Sequence, residues 1–180
     1  MNPLEDKRNL IDAFKGMDNA DIVRALDARR SPLELAIENL SHDFNIGTII
    51  RNANAFNFSR VHILGRRQYN RRGAMVTDKY LHIDHFASID DFVLDAKKRG
   101  KKLIAIENNR AEAKALSKAH FDENTILIFG SESDGISTEL LTRSDACFYI
   151  EQLGSTRSIN VGCASAIAMY EAVKKLGLFS

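Results

Sequence analysis

Asn45 and Arg51, six residues apart, have side chains that could bind an anion. Asn45 precedes a run in which Ile46, Ile49 and Ile50 recur at helical spacing, and Arg51 lies within that run. A guanidinium offers a planar fork of donors that suits a phosphate or a developing oxyanion. Asn45 is predicted to cap the helix. An ordinary cap followed by a solvent-reaching arginine explains the same residues, and this segment alone favours that explanation.

A second polar segment, GSESDG at 130–135, follows the most apolar stretch of the chain. Glycines at both ends allow a ligand to approach the backbone closely, and Glu132 supplies a carboxylate. No Gly-Lys-Ser/Thr follows, so the segment is not a P-loop, and no GxGxxG follows any predicted strand. A solvent-exposed connection is the alternative explanation.

Residues 150–173 form the third segment, which begins as the end of an apolar strand and continues as a helix. The polar turn between them starts at Gly154 and includes Asn160, and Ser158 is predicted to be the N-cap of the helix. Apolar residues recur at the helical period, at Ile159, Cys163, Ala166, Ile167 and Tyr170. Small residues that let another backbone come close are Gly162, Ala164, Ser165, Ala166 and Ala168.

An arginine-rich loop is predicted at 66–80, and four of its arginines lie within seven residues. They surround a tyrosine; the residues are Arg66, Arg67, Tyr69, Arg71 and Arg72. The formal net charge is only +1, so a nucleic-acid partner is indicated by this local cluster and not by bulk charge. Arginines and an aromatic ring suit phosphate contact and base stacking. By itself the cluster leaves RNA binding and a plain surface loop equally open.

Composition indicates a soluble, globular, single-domain chain, with 180 residues, 44% hydrophobic and 27% charged. Cys147 and Cys163 lie in apolar segments and are predicted to be buried thiols in a reducing compartment. His82 and His85 lack partners at ligand spacing, so we expect them to be structural and expect no metal. The charged N-terminal sequence is unlike a signal peptide, and no apolar run is long enough to span a membrane. We therefore expect a cytoplasmic protein without a membrane partner.

Periodicity predicts the elements that position these segments. Strands are predicted at 33–40, 60–65, 83–86, 103–107, 125–130 and 147–150. Helices are predicted at 4–15, 19–29, 45–56, 88–99, 111–118, 137–143 and after Ser158. This alternation predicts an α/β fold with a mainly parallel sheet and helices on both faces. Because ligands bind at the carboxyl ends of parallel strands, the polar turns at 41–47, 130–135 and 152–158 are expected to converge on one crevice.

Together, NIGTIIRNANAF, ILIFGSESDGIS and IEQLGSTRSINVGCASAIAMYE resemble the three motifs of the SpoU (TrmH-type) branch of the SPOUT RNA methyltransferases. The resemblance covers roughly residues 33–176, in the family's order and approximate spacing. The family's functional positions fall on Asn45 and Arg51, on Gly130, Glu132 and Gly135, and on Gly154, Ser158, Ile159 and Asn160.

Four positions depart from the family pattern. Ile159 replaces a leucine, Ser133 replaces a frequent glycine, and Glu151 and Gln152 stand where proline and methionine are common. The polar reactive positions are retained. The changes at 151 and 152 are expected to alter the wall of the cofactor pocket.

The resemblance implies an S-adenosylmethionine-dependent enzyme that methylates a ribose 2′-hydroxyl of tRNA or rRNA and releases S-adenosylhomocysteine. It implies a deep C-terminal trefoil knot and a homodimer. Residues 31–180 would form the methyltransferase domain, and residues 1–30 a short helical extension that matches no accessory RNA-binding domain.

The resemblance also implies residue roles. Arg51 would favour the alkoxide form of the hydroxyl electrostatically, supported by Asn45, Glu132, Ser158 and Asn160. The cofactor would contact Gly130, Ile150, Leu153, Gly154, Ser158 and Ile159. RNA would contact Arg66, Arg67, Tyr69, Arg71 and Arg72.

Two other functions remain open from the sequence. One is a catalytically inactive RNA-binding protein of the same fold, which the retained polar positions disfavour. The other is an unrelated nucleotide-binding α/β enzyme such as a phosphate-ester hydrolase. It is disfavoured because the sequence has no P-loop, GxGxxG or metal-ligand spacing.

Overall fold

The computed structural model describes residues 5–39, 45–108 and 110–179. Its strands are β1 Ser31–Asn39, β2 Phe58–Gly65, β3 Ile83–Phe86, β4 Lys102–Ile106, β5 Lys114–Ala115, β6 Thr125–Phe129 and β7 Ala146–Tyr149. Its α-helices are α1 Asn19–Asp27, α2 Asn45–Ala55, α3 Ile89–Lys98, α4 Thr138–Thr142 and α5 Val161–Lys175. Short 3₁₀ turns occupy Asp12–Phe14, Arg72–Ala74, Thr77–Tyr80 and Leu116–Lys118. Within these ranges no helix has the length and apolar composition needed to cross a bilayer.

The strands form one seven-stranded sheet in the order β3-β2-β1-β6-β4-β7-β5. Every pairing between neighbouring strands is parallel. Parallel neighbours must be joined by crossover connections, which place helices over the faces of the sheet. The predicted α/β fold with a mainly parallel sheet is confirmed.

The hydrophobic core lies on both faces of this sheet. In β1, Leu35 and Ile37 belong to the larger cluster, under α2 and α5, whereas Ala36 belongs to the cluster under α3 and α4. Successive side chains of a strand point to opposite faces, so a strand covered on both sides reads as a continuous apolar run. The same explanation holds for β6, in which every residue is buried.

Small residues of α5 pack directly against α2 of the same chain. A Cβ atom added at Gly162 would lie 2.9 Å from Cγ2 of Thr48. The side-chain amide of Asn52 donates to the carbonyl oxygen of Gly162 at 2.9 Å and to Oγ of Ser165 at 3.0 Å. The close approach expected from the small residues is confirmed, and the contacting atoms belong to the Thr48 and Asn52 side chains of α2.

The larger apolar side chains of α5 face outward. Ile167 is 43% exposed and Tyr170 is 50% exposed. The face of α5 that packs on α2 is crowded and carries small side chains. Met169 and Val173, further along the helix, are also buried. Cys163 is exposed, so the prediction of a buried thiol is wrong there. Cys147 is half-buried, and burial raises the pKa of its thiol to about 11.

The helix predicted at 4–15 is wrong, since the described part of that segment holds only the 3₁₀ turn Asp12–Phe14. The buried carboxylate of Asp6 accepts from the backbone N–H groups of Arg8 at 3.0 Å and Gly16 at 2.9 Å. Local bonds from a side chain to the backbone compete with helix formation and here close the segment into a loop.

The helix predicted at 111–118 is also wrong. Lys114 and Ala115 form β5, which pairs with Phe148 and Tyr149 of β7, and a 3₁₀ turn follows. Pairing with the sheet edge overrides the weak local helical pattern.

Residues 5–30 pack against the rest of the chain through a separate small core. In that core, Ile22 and Leu26 of α1 pack with Phe14 and Tyr80. The presence of α1 confirms the helix predicted at 19–29. The guanidinium of Arg30 donates to the carbonyl oxygen of Tyr80 at 2.8 Å. The N-terminal segment is therefore docked beside the turn Thr77–Tyr80.

A buried ionic cluster lies under β1 and β2. The carboxylate of Glu34, which is 4% exposed, accepts from His62 at 2.7 Å and from Arg99 at 2.7 Å, with Lys101 at 3.0 Å. Burial by itself would raise the pKa of the Glu34 carboxyl. The hydrogen bonds from His62, Arg99 and Lys101 outweigh burial and hold that pKa at about 2.

This lowered pKa predicts an acid-dependent loss of stability. Glu34 stabilises the fold fully above its unfolded pKa of 4.5, and this contribution disappears as the pH falls towards about 2. Between about pH 6 and about pH 2.5, the wild type should lose on the order of a few kcal/mol of unfolding free energy more than Glu34→Gln does. Urea titrations at several pH values measure the difference. The exposed Glu139→Gln should behave like the wild type, and parallel pH profiles for wild type and Glu34→Gln would contradict the assignment.

Candidate active site

Three side chains from distant parts of the chain meet where β1, β6 and β7 lead into their following segments. The amide of Asn45 donates to Oε2 of Glu132. The amide of Asn160 donates to Oδ1 of Asn45 at 2.9 Å and to Oε1 of Glu132 at 3.2 Å. We call Asn45, Glu132 and Asn160 the amide–carboxylate cluster. The turns predicted at 41–47 and 130–135 therefore meet through Asn45 and Glu132, and Asn160, which joins them, follows the turn predicted at 152–158. Residues 41–44 of the first turn lie outside the described part of the chain.

The loop that carries Glu132 is closed by its own backbone. Ser131 and Gly135 exchange backbone hydrogen bonds of 3.1 and 3.0 Å. A Cβ atom at Gly130 would lie 2.0 Å from the backbone carbon of Gly135, and Gly135 has a φ of +67°. Both positions therefore need glycine, and the tight loop fixes Glu132 at its tip.

Asn160, and not Ser158, caps α5. Oδ1 of Asn160 accepts from the backbone N–H groups of Gly162 at 2.9 Å and Cys163 at 3.3 Å. The helix begins at Val161, so the prediction that Ser158 is the cap is wrong. Asparagine and serine are both good caps, and the packing of Gly162 on α2 decides where the helix begins. Asn45 was also predicted to be a cap, but it lies within α2 as the structure describes that helix, so this prediction is wrong.

Arg51 lies on α2, about 9 Å along the axis from Asn45 at 1.5 Å per residue. It is exposed, and among the described residues it has no hydrogen-bond or ion-pair partner. Gly47, one turn earlier on the same face, packs on the arginine-rich loop: a Cβ there would lie 2.8 Å from the carbonyl oxygen of Asn70. Arg51 is therefore directed towards the side of α2 next to that loop, and the structure does not bring it into the amide–carboxylate cluster.

A cavity of about 210 Å³ lies beside the amide–carboxylate cluster, lined by residues 106–108, 130–135, 158–161 and Ala164. Its lining includes the acidic side chains of Glu107, Glu132 and Asp134 and, among the described residues, no lysine or arginine. Ile106, Ile159 and Val161 add apolar surface. This lining favours a ligand that combines positive charge with an apolar ring.

The predicted cofactor contacts are placed unevenly around this cavity. Gly130, Ser158 and Ile159 line it. The backbone N–H of Ile150 lies beside it and donates to Asn108 at 3.2 Å, while the Ile150 side chain faces a second cavity. Leu153 is fully exposed and Gly154 has open space around its Cβ position, so the structure does not bring either residue to the cavity.

Sequence reasoning missed Glu107 and Asn108. Both line the cavity, and Oε2 of Glu107 accepts from the backbone N–H of Ile136 at 3.1 Å. They are polar residues directly after the buried strand β4. Ligands of parallel α/β sheets bind at the carboxyl ends of the strands, and this rule, which was applied to the other three turns, would have found Glu107 and Asn108 as well.

The arginine-rich loop follows β2, next to β1. The buried Asn39 holds it, since its amide donates to the carbonyl oxygens of Arg66 at 2.6 Å and Gln68 at 3.0 Å. Arg71 is paired with the buried carboxylate of Asp78, so much of its charge is neutralised. Three exposed arginines of the loop have no carboxylate partner among the described residues; they are Arg66, Arg67 and Arg72.

His82 and His85 both have partners within the fold. His82 pairs with the carboxylate of Asp27 at 2.9 Å, and Nε2 of His85 donates to the carbonyl oxygen of Gly65 at 2.7 Å. A search of the described ranges finds no group of three or more His, Cys, Asp or Glu side chains placed to hold a metal ion.

Comparison with known proteins gives a consistent result. The model of the SpoU rRNA Methylase family matches residues 32–170. The tRNA (guanosine(18)-2′-O)-methyltransferase of Escherichia coli K12 is 27% identical over 154 residues, which is 82% of this chain and 66% of that protein. This chain therefore spans slightly less than two thirds of that relative.

Two solved structures resemble the fold. A structure described as a tRNA modifying enzyme, TrmH/SpoU of A. aeolicus, has a TM-score of 0.77 and 22% identity, covering 89% of this chain and 84% of the other. A structure described as giving insights into the 2-OH methylation of C/U34 on tRNA has a TM-score of 0.71 and 26% identity, covering 81% of this chain and 96% of the other.

The corrected cap can be tested by comparing two substitutions in one loop. Asn160→Ala should lower the unfolding free energy by about 1 kcal/mol, because it removes the acceptor for the first turn of α5. Ser158→Ala should change it by less than about 0.5 kcal/mol, because Ser158 is exposed outside the helix. Urea unfolding measures both. A larger loss for Ser158→Ala than for Asn160→Ala would restore the cap predicted from the sequence.

Proposed function

Since the chain belongs to the SpoU rRNA Methylase family, we propose that it transfers a methyl group from S-adenosylmethionine to a ribose 2′-hydroxyl of tRNA or rRNA. The observation that carries this proposal is the amide–carboxylate cluster, because it joins one polar side chain from each of the three motifs. The E. coli relative is named for the same reaction, methylation of a ribose 2′-oxygen.

The cavity fits S-adenosylmethionine in its chemistry. The cofactor carries positive charge on its sulfur and ammonium groups and one negative carboxylate, for a net positive charge. In the described part of the chain, the cavity lining holds three carboxylates and no basic side chain. Gly130, Ser158 and Ile159 would hold it, with the main chain of Ile150 at the edge. Leu153 and Gly154 lie on the exposed segment beyond, and we retain them as contacts for the part of the cofactor outside the cavity.

When bound, the cofactor supplies a methyl group on a sulfonium, whose S–C bond breaks as a C–O bond forms, leaving neutral S-adenosylhomocysteine. The 2′-hydroxyl proton passes to solvent. The guanidinium of Arg51 stabilises negative charge on the 2′-oxygen, directly or through the adjacent phosphate. Its exposed position, with no hydrogen-bond or ion-pair partner in the part of the chain that the structure describes, suits a side chain that must reach RNA.

The amide–carboxylate cluster positions these groups. Glu132 accepts from both asparagines, so it holds the beginning of α2, which carries Arg51, against the beginning of α5. Much of the rate would come from fixing the hydroxyl in line with the methyl carbon. Ser158, in the cavity wall, would assist substrate placement.

The RNA would lie along the arginine-rich loop. Arg66, Arg67 and Arg72 would contact phosphates, while Arg71 holds the loop through Asp78. The activities for which these similar proteins are named favour tRNA, but they concern different nucleotides, guanosine 18 and C/U34. We therefore assign no nucleotide.

The outward apolar face of α5 supports a homodimer. Ile167, Tyr170, Leu178 and Phe179 are each 41–50% exposed. They adjoin a cavity of about 510 Å³ walled by the same helix and by Phe56. Large apolar patches on a soluble protein mark interaction surfaces, and a second copy of this chain would cover this one.

The path of the C-terminal part supports the trefoil knot. β7 lies beyond β4 in the sheet, yet α5 returns across β6 to pack on α2. A knot formed by β6, β7 and α5 agrees with this path, as an exception to the rule that chains avoid knots. We propose a cytoplasmic location because the RNA substrate is there.

Substitution of Arg51 tests the mechanism. Arg51→Ala should lower kcat/KM for methylation of unmodified tRNA transcripts by about 100-fold or more, because one charge-stabilising donor is removed. Binding of S-adenosylmethionine, measured by calorimetry, should stay within about twofold, because Arg51 does not line the cavity.

The exposed Arg24→Ala, on α1, is the matched control and should retain full activity. Mass spectrometry of nucleosides should locate the methyl group on ribose. Near-normal ribose methylation by Arg51→Ala, with the fold intact, would remove Arg51 from the mechanism.

The dimer is tested by placing a charge on α5. Tyr170→Glu should convert a dimer into a folded monomer in sedimentation equilibrium, because it places a carboxylate in an apolar interface. Leu94→Glu, on the similarly exposed apolar position of α3, should remain dimeric. A wild-type monomer at micromolar concentration, or a dimeric Tyr170→Glu, would contradict the interface.

A further inference from the structure

A cavity of about 920 Å³ lies between the arginine-rich loop and the edge of the sheet formed by β2 and β3. Its apolar lining comes from Ile63, Leu81 and Ile83. Its volume is within the range of roughly 300–1,000 Å³ that small-molecule sites occupy. We call it the loop pocket. It is separate from the acidic cavity beside the amide–carboxylate cluster, with which it shares no lining residue.

The loop that walls this pocket is held in place on both sides. Asn39, fully buried at the end of β1, holds the carbonyl oxygens of Arg66 and Gln68. On the far side, Arg71 pairs with Asp78, whose side chain is 4% exposed. A pre-formed wall of this kind loses little conformational entropy when a ligand binds.

The polar groups of the loop pocket suit a planar heterocycle. Tyr69 is half-buried in the lining and offers an aromatic face. The side-chain amide of Gln68, which has no partner among the described residues, can donate and accept. The Asn70 side chain uses its oxygen to accept from the backbone N–H of Arg72 at 3.0 Å, which leaves its NH₂ group as a donor.

Charge separates the inside of the pocket from its rim. In the lining, the positive charge of Arg71 is offset by the buried carboxylate of Asp78, and His85 is bonded to the carbonyl oxygen of Gly65. Arg66, Arg67 and Arg72 are exposed and have no carboxylate partner among the described residues, and of these three only Arg67 belongs to the lining. This arrangement places phosphates at the rim and an uncharged ring within.

The loop pocket adjoins the helix that carries Arg51. Gly73 packs so tightly on α2 that a Cβ there would lie 2.9 Å from the backbone nitrogen of Thr48. Gly47, one turn before Arg51 on the same face of α2, packs equally tightly against the carbonyl oxygen of Asn70. A nucleotide in the pocket would therefore belong to the same stretch of RNA as the ribose at Arg51.

We propose that the loop pocket binds one unpaired nucleobase of the RNA substrate near the methylated ribose, with Tyr69 stacking on the base and Gln68 reading its edge. This inference rests on the proposed function and deepens it, because it makes these two residues determinants of sequence preference. Unstacked bases of single-stranded RNA are recognised by aromatic stacking combined with hydrogen bonds to their edges.

Binding of nucleoside 5′-monophosphates tests the pocket independently of catalysis. AMP, GMP, CMP and UMP are titrated separately into the full chain and followed by NMR. We expect saturable binding with a preference among the four bases. Tyr69→Ala should weaken it by about 10-fold or more, since a stacked base contributes about 1–3 kcal/mol, whereas Tyr69→Phe should retain it. Gln68→Ala should reduce the preference among bases, and the exposed Asn124→Ala should change nothing.

Methylation kinetics provide the second measurement. With unmodified tRNA transcripts, Tyr69→Ala should raise KM about 10-fold and change kcat little, because the pocket binds RNA away from the reacting atoms. Equal weak binding of all four nucleotides, unaffected by Tyr69→Ala, would show a phosphate contact alone and overturn the proposal. Unchanged KM in Tyr69→Ala would overturn it as well. Failure of the proposed function would appear differently, as nucleotide binding without any methyl transfer.

Discussion

The hydrogen bonds to Glu132 are the constraint on which the site depends. This one carboxylate accepts from Asn45, 87 residues earlier, and from Asn160, 28 residues later. It thereby ties the beginnings of α2 and α5 to the loop after β6. Asn160 uses its oxygen to cap α5 and its NH₂ group to bind the other two residues, so the helix end and the site are one structure. Loss of any member would loosen three segments together.

The parallel sheet makes that constraint possible. β1 and β6 are neighbours, so their carboxyl ends deliver Asn45 and Glu132 to the same edge. α5 reaches the edge from β7, two strands away, because its small residues pack on α2. As a result, negative and positive side chains lie on different sides of α2. Carboxylates surround the cavity near α5, and arginines lie in the loop beyond α2. A cationic cofactor and an anionic RNA would thus approach Arg51 from different sides.

The sequence predicted the strands and most helices well, because a sheet buried on both faces requires apolar runs that are easy to recognise. It failed where tertiary contacts decide. Asp6 closes a loop in place of the N-terminal helix, and pairing with β7 converts 114–115 into a strand. At the site, the resemblance to the family's three motifs singled out Asn45, Glu132 and Asn160, but not their bonds, nor that Asn160 replaces Ser158 as the cap. The position of Arg51, facing the arginine-rich loop, depends on helix packing that no local pattern contains.

The central claim is that these three segments form one site for ribose methylation. The most direct measurement incubates the purified chain with S-adenosylmethionine carrying a deuterated methyl group and with unmodified tRNA transcripts, and then identifies labelled nucleosides by mass spectrometry. The account predicts label on a ribose 2′-oxygen, and loss of that label when Glu132→Gln weakens the cluster. Label on a base, or full ribose labelling by Glu132→Gln, would contradict it.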